Sequence, residues 1–438
     1  MSKGITTVSI PPASLPVTGW ARRWAMVLIF LIAVVNYADR WIFSVLIEPI
    51  KAEFGLSDTM VGLLTGPAFA IFYALVGIPL ARIADSWNRR VLISACVSLW
   101  SLMTVMCGMA GNIVQLFLFR VGVGVGEAGA TPPSHSLIAD YYPPAERTGA
   151  LSVFNLGPVI GSLVAGIGGS VLVALIGWRE TLIWMGLPGI VIGLLAYIFL
   201  KEPRSAPVMP YLSRLWPDMM SALKPALRKP AFVHLLIGFT LNGFLLYGAF
   251  IWTLPFAMRH YDISVEELPS IAVPMSLIQA AMGLIAIPLS GWLGNRLIRR
   301  DIRWLCWICT LALLISFPFY LLKFSTDNFQ HFLILAGISH LVLLLLASPA
   351  YAAIHLVIDA GHRAMVMAFI LLVSNLVGMG AGPVLTGLLS DTLQPVFGDA
   401  ALQAAIIALL FLMPWAALHF FRAARFLRRD MIELESAQ

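Results

Sequence analysis

Long apolar runs alternate with short polar segments along the whole chain. A helix that crosses the hydrocarbon core of a bilayer needs about 20 mainly apolar residues, and twelve runs reach that length. We number them spans 1 to 12; they cover residues 24–50, 58–84, 89–110, 113–140, 146–176, 180–200, 231–258, 266–294, 303–323, 329–358, 364–389 and 398–421. Because a helix satisfies its backbone hydrogen bonds internally, such runs adopt helices in lipid. The pattern predicts an all-α polytopic membrane protein with twelve transmembrane helices.

The composition agrees with this fold class and excludes several others. Of the 438 residues, 60% are hydrophobic and 11% are charged, whereas soluble domains are about half apolar and a quarter charged. The net charge of +6 does not indicate nucleic-acid binding, because basic residues collect in the cytoplasmic loops of membrane proteins. The four cysteines all lie inside apolar runs, where a tetrahedral zinc site is not expected. We therefore expect a lipid bilayer as partner, and neither nucleic acid, metal nor cofactor.

The distribution of basic residues predicts the orientation in the membrane. If the N-terminus is cytoplasmic, the segments on the cytoplasmic side contain 22 lysines and arginines, and those on the opposite side contain four. These four are Lys51, Arg179, Arg259 and Lys323. By the positive-inside rule, both termini are predicted to be cytoplasmic.

The chain divides near its middle into two similar parts. Residues 201–230 are rich in proline and charge, and they separate six spans from six. The tripeptide Ile-Pro-Leu at 78–80 recurs at 287–289, and the Arg-Arg pair at 89–90 recurs at 299–300. The repetition predicts two related six-helix bundles, residues 1–200 and 231–438, joined by a cytoplasmic linker at 201–230, with a substrate site between them.

Three ionisable residues are predicted to lie deep in the membrane: Asp39 in span 1, and Arg120 and Glu127 in span 4. A charge near the centre of a spanning helix costs about 3 kcal/mol or more, so such groups are functional candidates. The helical rise places Asp39 and Arg120 at similar depth. Asp39 is predicted to carry the transported proton under the influence of Arg120, with Glu127 relaying the proton or ordering Arg120. The alternative is a static ion pair that joins spans 1 and 4.

Arg40, next to Asp39 in span 1, is also predicted to lie within the membrane. Its side chain points about 100° away from that of Asp39 around the helix axis. We therefore expect Arg40 to reach the membrane interface or to pair with a residue other than Asp39.

The stretch RVGVGVGEAG at 120–129 contains the G-x-G-x-x-G spacing of a dinucleotide-binding turn. That turn needs a strand before it and a helix after it in a soluble βαβ unit, whereas both flanks here are membrane spans. Small residues let neighbouring helices approach closely in membranes. We therefore expect these glycines to pack against another helix rather than to bind a cofactor.

The loop after span 2, ARIADSWNRR at 81–90, resembles the signature G-x-L-A-D-R-x-G-R-R/K of the major facilitator superfamily, and GWLGNRLIRR at 291–300 resembles its second copy. Within that superfamily, NYADR in span 1, GVGEA in span 4 and GWRETLIWMGLPG in span 6 resemble the Spinster family. The resemblance implies the superfamily fold, alternating access and proton-linked transport of lysolipids or sphingolipid phosphates. It also implies a gate at Asp85, Arg89 and Arg90. We expect a monomer in the inner membrane of a bacterium.

The second-half spans contain scattered polar residues but no deep carboxylate. We expect them to form a largely apolar wall in which Asn242, Tyr247 and His340 contact the substrate, while Arg120 binds its anionic head. These features favour an amphipathic lipid-like or drug-like substrate. The alternative is a proton-coupled importer of small organic anions such as sugar acids. An enzyme would need a nucleophile with a base or a metal in the spans, and His340 has no acidic partner at helical spacing, so no enzymatic activity is expected.

Overall fold

The computed structural model describes residues 19–203 and 215–436. Within these ranges the chain is helical and forms no strand. Ten helical segments are long and apolar enough to cross a membrane, and two of them, Pro144–Phe199 and Met365–Met431, contain 56 and 67 residues. Each of these two is long enough for two crossings and contains a break at a glycine with a positive φ angle, Gly177 (82°) or Gly398 (53°). The prediction of an all-α fold with twelve spans is confirmed.

The helices match the predicted spans closely. Spans 1 to 6, the first half, comprise Gly19–Phe54 (span 1), Asp58–Thr65 and Pro67–Ser86 (span 2), Arg89–Gly108 (span 3), Ile113–Glu127 and Thr131–Tyr141 (span 4), Pro144–Leu163 and the π-helix Val164–Gly168 (span 5), and Gly169–Phe199, which Gly177 divides between spans 5 and 6. Spans 7 to 12, the second half, comprise Pro230–His260 (span 7), Leu268–Ile298 (span 8), Trp304–Ser325 (span 9), Phe329–Leu344 and Ala347–Leu356 (span 10), Arg363–Ser374, the π-helix Asn375–Ala381 and Gly382–Phe397 (span 11), and Ala401–Leu410 and Leu412–Ser436 (span 12).

The predicted linker contains a helix, Leu215–Leu227, that packs beside spans 7 and 11. Residues 204–214 of the linker lie outside the described residues, and the division into two separate bundles stays a prediction. We call the side of the bundle where span 6 ends and span 7 begins the linker side. The opposite side is called the far side.

Polar residues in the short loops set where the spans begin. The Ser57 hydroxyl accepts a hydrogen bond from a backbone N–H in the first turn of span 2, and the side chains of Asn88, Asn112 and Asn328 do the same for spans 3, 4 and 10. The first N–H groups of a helix have no partner inside the helix, so serine and asparagine at these positions stabilise its start. These caps fix the register in which buried side chains face the interior.

The glycines of span 4 allow close packing against two neighbours. A Cβ atom at Gly124 would lie 2.6 Å from the carbonyl oxygen of Phe69 in span 2, and one at Gly126 would lie 2.7 Å from the backbone nitrogen of Trp100 in span 3. Only glycine permits these approaches, so the packing role predicted for this stretch is confirmed. The same contacts hold Arg120 and Glu127 in a fixed position inside the first half.

Candidate functional site

Four charged side chains are buried in spans 1 and 4. Asp39, Arg120 and Glu127 are each at most 2% exposed, and Arg40 is 9% exposed. Burying a charge costs several kcal/mol unless partners compensate it. The arrangement of partners therefore shows which of these charges are compensated and which are available to a ligand or a proton.

Glu127 is paired with Arg40. The Arg40 Nη2 and Nε atoms both donate to Oε2 of Glu127, at 2.8 and 3.2 Å. The Arg40 guanidinium also lies 4.9 to 5.2 Å from the ring centroids of Tyr37, Phe69 and Tyr73, a geometry in which cations are attracted to aromatic faces. A buried ion pair between Arg40 and Glu127 thus joins spans 1 and 4. The predicted roles of Glu127, relaying the proton or ordering Arg120, stay predictions.

Asp39 and Arg120 are not compensated in this way. In residues 19–203 and 215–436, neither oxygen of Asp39 and neither Nε nor Nη1 of Arg120 has a hydrogen-bond partner. The Arg120 guanidinium lies 4.0 Å from the ring centroid of Phe43 and 4.9 Å from that of Phe69. Native buried polar groups are nearly always hydrogen-bonded, so exceptions require an explanation. Asp39 and Arg120 are therefore the buried charges that remain open to a proton, a water molecule or an anion.

A large cavity lies between the two halves on the linker side. Its volume is about 580 Å³, within the range of binding pockets for drug-sized molecules. The lining residues belong to span 2 (Tyr73, Ala74, Gly77, Ile78, Ala81 and Arg82), span 4 (Ala128, Thr131 and Pro132) and span 11 (Met365, Ala368, Leu371, Leu372 and Asn375). Most of these side chains are apolar, so the cavity suits a molecule with a substantial hydrocarbon part.

The far side is closed by an ionic cluster that joins the two halves. The Arg259 guanidinium at the end of span 7 donates to Glu48 of span 1 at 2.8 and 3.0 Å, and to both carboxylate oxygens of Asp58 of span 2 at 2.8 Å. Lys51 also pairs with Asp58. We name Glu48, Lys51, Asp58 and Arg259 the far-side cluster.

Two residues of span 11 extend the far-side closure. The Ser390 hydroxyl donates to Asp58 at 2.7 Å. The Asp391 carboxylate accepts hydrogen bonds from the backbone N–H groups of Asp58 and Thr59 at 3.0 and 2.8 Å. The two halves are thus joined on the far side, and the cavity of about 580 Å³ lies between them on the linker side. The sequence did not indicate this closure. Its only signal was that Glu48 and Asp58 lie at the same side of the membrane as Lys51 and Arg259.

The predicted gate residues on the linker side lie within the first half. The side chain of Asp85 is outside the described part of the structure. The Arg89 guanidinium is fully buried and pairs with Asp140 at the end of span 4 and with Glu202 after span 6, at 2.6 and 2.5 Å. Arg90 places its guanidinium 5.1 Å from the ring of Tyr197. In this conformation Arg89 joins the start of span 3 to the ends of spans 4 and 6, all within the first half. The gating role of these residues stays a prediction.

The predicted ligands of the second half separate into two places. The Tyr247 ring stacks on Trp41 of span 1, with centroids 5.9 Å apart. Asn242 and His340 instead line a smaller cavity of about 40 Å³ inside the second half. Arg120 is absent from the lining of this cavity and of the large one. Substrate contacts at these residues stay predictions.

Lys323 lines the same small cavity, contrary to its expected place in a far-side loop. It is 5% exposed, because its side chain turns into the bundle instead of reaching out to the interface. For a lysine so near a helix end, the sequence does not show whether the side chain points into the bundle or out to the interface. The largely apolar wall predicted for the second half therefore contains one buried lysine, which the sequence did not indicate.

Comparisons with known proteins agree with this architecture. The sequence profile of the Major Facilitator Superfamily matches residues 29–325. The MFS-type efflux pump of Mycolicibacterium smegmatis is 32% identical over 422 residues, 95% of this chain and 96% of that protein. The probable L-galactonate transporter of Escherichia coli is 33% identical over 178 residues, 41% of this chain and 39% of that protein. The crystal structure of a bacterial homolog to the human lysosomal transporter Spinster, in an inward-facing and occupied conformation, is 29% identical with a TM-score of 0.81, and the match covers 94% of this chain and 99% of that one.

Proposed function

This chain belongs to the major facilitator superfamily and is Spinster-like, and we propose that it couples proton movement to the transport of an amphipathic, lipid-like or drug-like molecule. The superfamily consists of transporters rather than enzymes. The observation that carries the substrate part of the proposal is the apolar cavity of about 580 Å³ between the two halves. The efflux-pump relative and the Spinster homolog support the same class of activity.

The proposed orientation places the linker side in the cytoplasm of a bacterial cell and the protein in its inner membrane. The large excess of lysine and arginine in the linker-side segments supports this orientation. With this orientation, the cavity faces the cytoplasm and the far-side cluster separates it from the periplasm. The conformation then corresponds to the inward-facing state of the similar Spinster homolog.

Alternating access requires the far-side cluster to break when the cavity opens to the periplasm. Arg259 contacts Glu48 and Asp58 across the interface between the halves, so rocking one half against the other separates the charges. Water then solvates these charges, which lowers the cost of separating them. The two halves move as bodies around a central site, which is the general mechanism of such folds.

Asp39 is the proposed proton carrier. Its carboxyl group is buried and forms no hydrogen bond of ideal geometry within the described residues. It interacts electrostatically with Glu127 and Arg120 and lies near the side chains of Thr104 and Trp100. Glu127, in contrast, is held by Arg40. A carboxyl group that is not held in an ion pair binds and releases a proton with little rearrangement. One proton moving down a pH difference of one unit supplies about 1.4 kcal/mol, enough for about tenfold accumulation of an uncharged substrate.

The substrate class is tested by binding across a series of lysolipids of increasing chain length, with a sugar acid alongside. Each buried CH₂ contributes about 0.8 kcal/mol, so the dissociation constant is expected to fall about fourfold per added carbon until the cavity is filled. Purified protein in detergent-free nanodiscs allows the measurement by tryptophan fluorescence. Equal affinity at all chain lengths would refute the lipid-like substrate.

Proton coupling is tested with Asp39→Asn in proteoliposomes under an imposed pH gradient. The amide fills nearly the same volume but cannot titrate, so uptake is expected to lose its response to the gradient while the protein remains folded. Asp399→Asn is the matched control, because Asp399 is an exposed carboxylate of the far-side loop between spans 11 and 12. Gradient-driven uptake at the parent rate in Asp39→Asn would remove Asp39 from the mechanism.

A transporter of small organic anions is the second candidate. The L-galactonate relative supports it, although the match covers less than half of either chain. The buried cations Arg120 and Lys323 supply the positive charge that an anion requires. If the sugar acid binds in the series above and the lysolipids do not, this candidate replaces the first.

A further inference from the structure

Lys323 is a buried ammonium group without a counter-charge. Among residues 19–203 and 215–436 it forms no hydrogen bond and no ion pair, and it is 5% exposed. Its position two residues before the end of span 9 would let a lysine extend to the water at the interface. Instead the Nζ atom lies 4.4, 5.1 and 5.4 Å from the ring centroids of Phe324, Phe332 and Tyr320. The three rings hold the ammonium inside the second half.

The aromatic rings compensate this charge only in part. Cation–π contacts contribute about 0.5–2 kcal/mol, whereas an ammonium has three N–H donors that need acceptors. The cavity beside Lys323 holds an acceptor that is also unsatisfied, since Oδ1 of Asn242 is buried without a donor. An unpaired donor group and an unpaired acceptor therefore line the same small cavity. A bound group that carries both an anionic oxygen and a hydroxyl would satisfy both.

The cavity has the size of such a group and lies next to the interface between the halves. Its volume of about 40 Å³ is a few times that needed for one water molecule, which suits a carboxylate or a phosphate rather than a whole substrate. Phe250, Thr253 and Gln279 line it and also line a second cavity of about 50 Å³, which Trp41 and Ser44 of span 1 border from the first half. The small cavity thus adjoins the interface between the halves.

We propose that Lys323, with Asn242 and His340, forms a binding subsite for the anionic head of the substrate. The group recognised is a carboxylate or phosphate that carries a neighbouring hydroxyl. This subsite rests on the proposed transport function and deepens it. Arg120 lines none of the three cavities, so the cation beside the head group is Lys323 of the second half.

Binding of three probes to the full-length protein in nanodiscs tests the subsite. The probes are a lysophosphatidate with a 16-carbon chain, a monoacylglycerol with the same chain and no charge, and galactonate as a compact hydroxy acid. Lys323→Gln is expected to weaken binding of the anionic lipid at least tenfold and to leave the neutral lipid within twofold of the parent. Arg303→Gln is the matched control, because Arg303 is a second-half arginine that pairs with its neighbour Asp301 outside the spans.

A second variant distinguishes loss of anion binding from loss of the folded structure. Asn242→Asp adds a carboxylate to the same cavity, where it neutralises Lys323 and keeps out an anionic head. This variant is expected to lose the anionic lipid while its thermal stability equals or exceeds that of the parent. Parent affinity for the anionic probes in both variants would overturn the subsite and leave Lys323 as a packing residue.

The three probes separate failure of the subsite from failure of the proposed lipid-like substrate. If the parent binds galactonate and neither lipid, the lipid-like substrate is refuted, and a loss of galactonate binding in Lys323→Gln still supports the subsite. If the parent binds the neutral lipid as tightly as the anionic one, the subsite is overturned while the apolar cavity retains its role. A parent that binds neither anion overturns the subsite.

Discussion

Removing Arg259 is expected to open the far side of the protein. Its guanidinium makes four hydrogen bonds across the two halves, all between 2.8 and 3.0 Å, to Glu48 and Asp58. Arg259→Gln removes the positive charge and leaves the two carboxylates facing each other. These contacts exist only while the far side is closed, so their loss destabilises that state alone.

The size of the effect follows from the burial of the cluster. Removing one partner of a fully buried ion pair costs about 3–5 kcal/mol, and an exposed pair contributes about 1 kcal/mol or less. The side chains of Arg259 and Glu48 are 23% and 20% exposed and that of Asp58 is 4% exposed, so we expect an intermediate loss of about 2 kcal/mol. This free energy changes the ratio of closed to open molecules about 30-fold. A far-open minority of about 3% would then rise to about one half.

Distances between spin labels on the far side measure this population. The labels are placed at Gly111→Cys between spans 3 and 4 and at Asp399→Cys between spans 11 and 12, both exposed, while the four native cysteines are buried. Double electron–electron resonance is expected to show a longer distance in Arg259→Gln. Arg259→Lys keeps the charge but loses the forked geometry and should give an intermediate population.

Arg179→Gln is the matched control for this experiment. Arg179 is also a far-side arginine, and its guanidinium pairs with Glu53 and with the carbonyl oxygens of Gly108 and Ala110, all within the first half. Its loss therefore affects the stability of one half but not the contact between the halves. Identical distance distributions in the parent and Arg259→Gln would refute the far-side cluster as a gate.

Three further predictions concern the membrane interior and the linker side. Glu127→Leu is expected to lower the free energy of unfolding by about 3 kcal/mol, because it leaves the Arg40 charge buried and unpaired; adding Arg40→Met should restore the melting temperature but not transport. Gly124→Ala places a methyl group 2.6 Å from a backbone oxygen of span 2 and should cost about 1–3 kcal/mol, whereas Gly149→Ala, with open space around it, should leave the melting temperature unchanged. Asp85→Asn is expected to increase linker-side cysteine labelling at the expense of far-side labelling, and equal labelling of variant and parent would leave Asp85 as an ordinary loop charge.

The amino-acid sequence alone determined the membrane class, the number of spans and the burial of Asp39, Arg120 and Glu127. These features depend on the length and period of apolar runs, and a run of about 20 apolar residues has few other stable structures. The close packing of the span 4 glycines was likewise predictable, because closely spaced small residues in a membrane helix let neighbouring helices approach. Each of these properties belongs to one segment and needs no knowledge of its neighbours.

Only the tertiary structure decided which charges meet. Arg40 and Glu127 are 87 positions apart in the chain, and their pairing depends on how spans 1 and 4 are rotated about their axes. The far-side cluster joins residues more than 200 positions apart, and the inward turn of Lys323 depends on three rings from spans 9 and 10. Long side chains near helix ends can point to water or to the interior, and the choice depends on the packing of neighbouring helices.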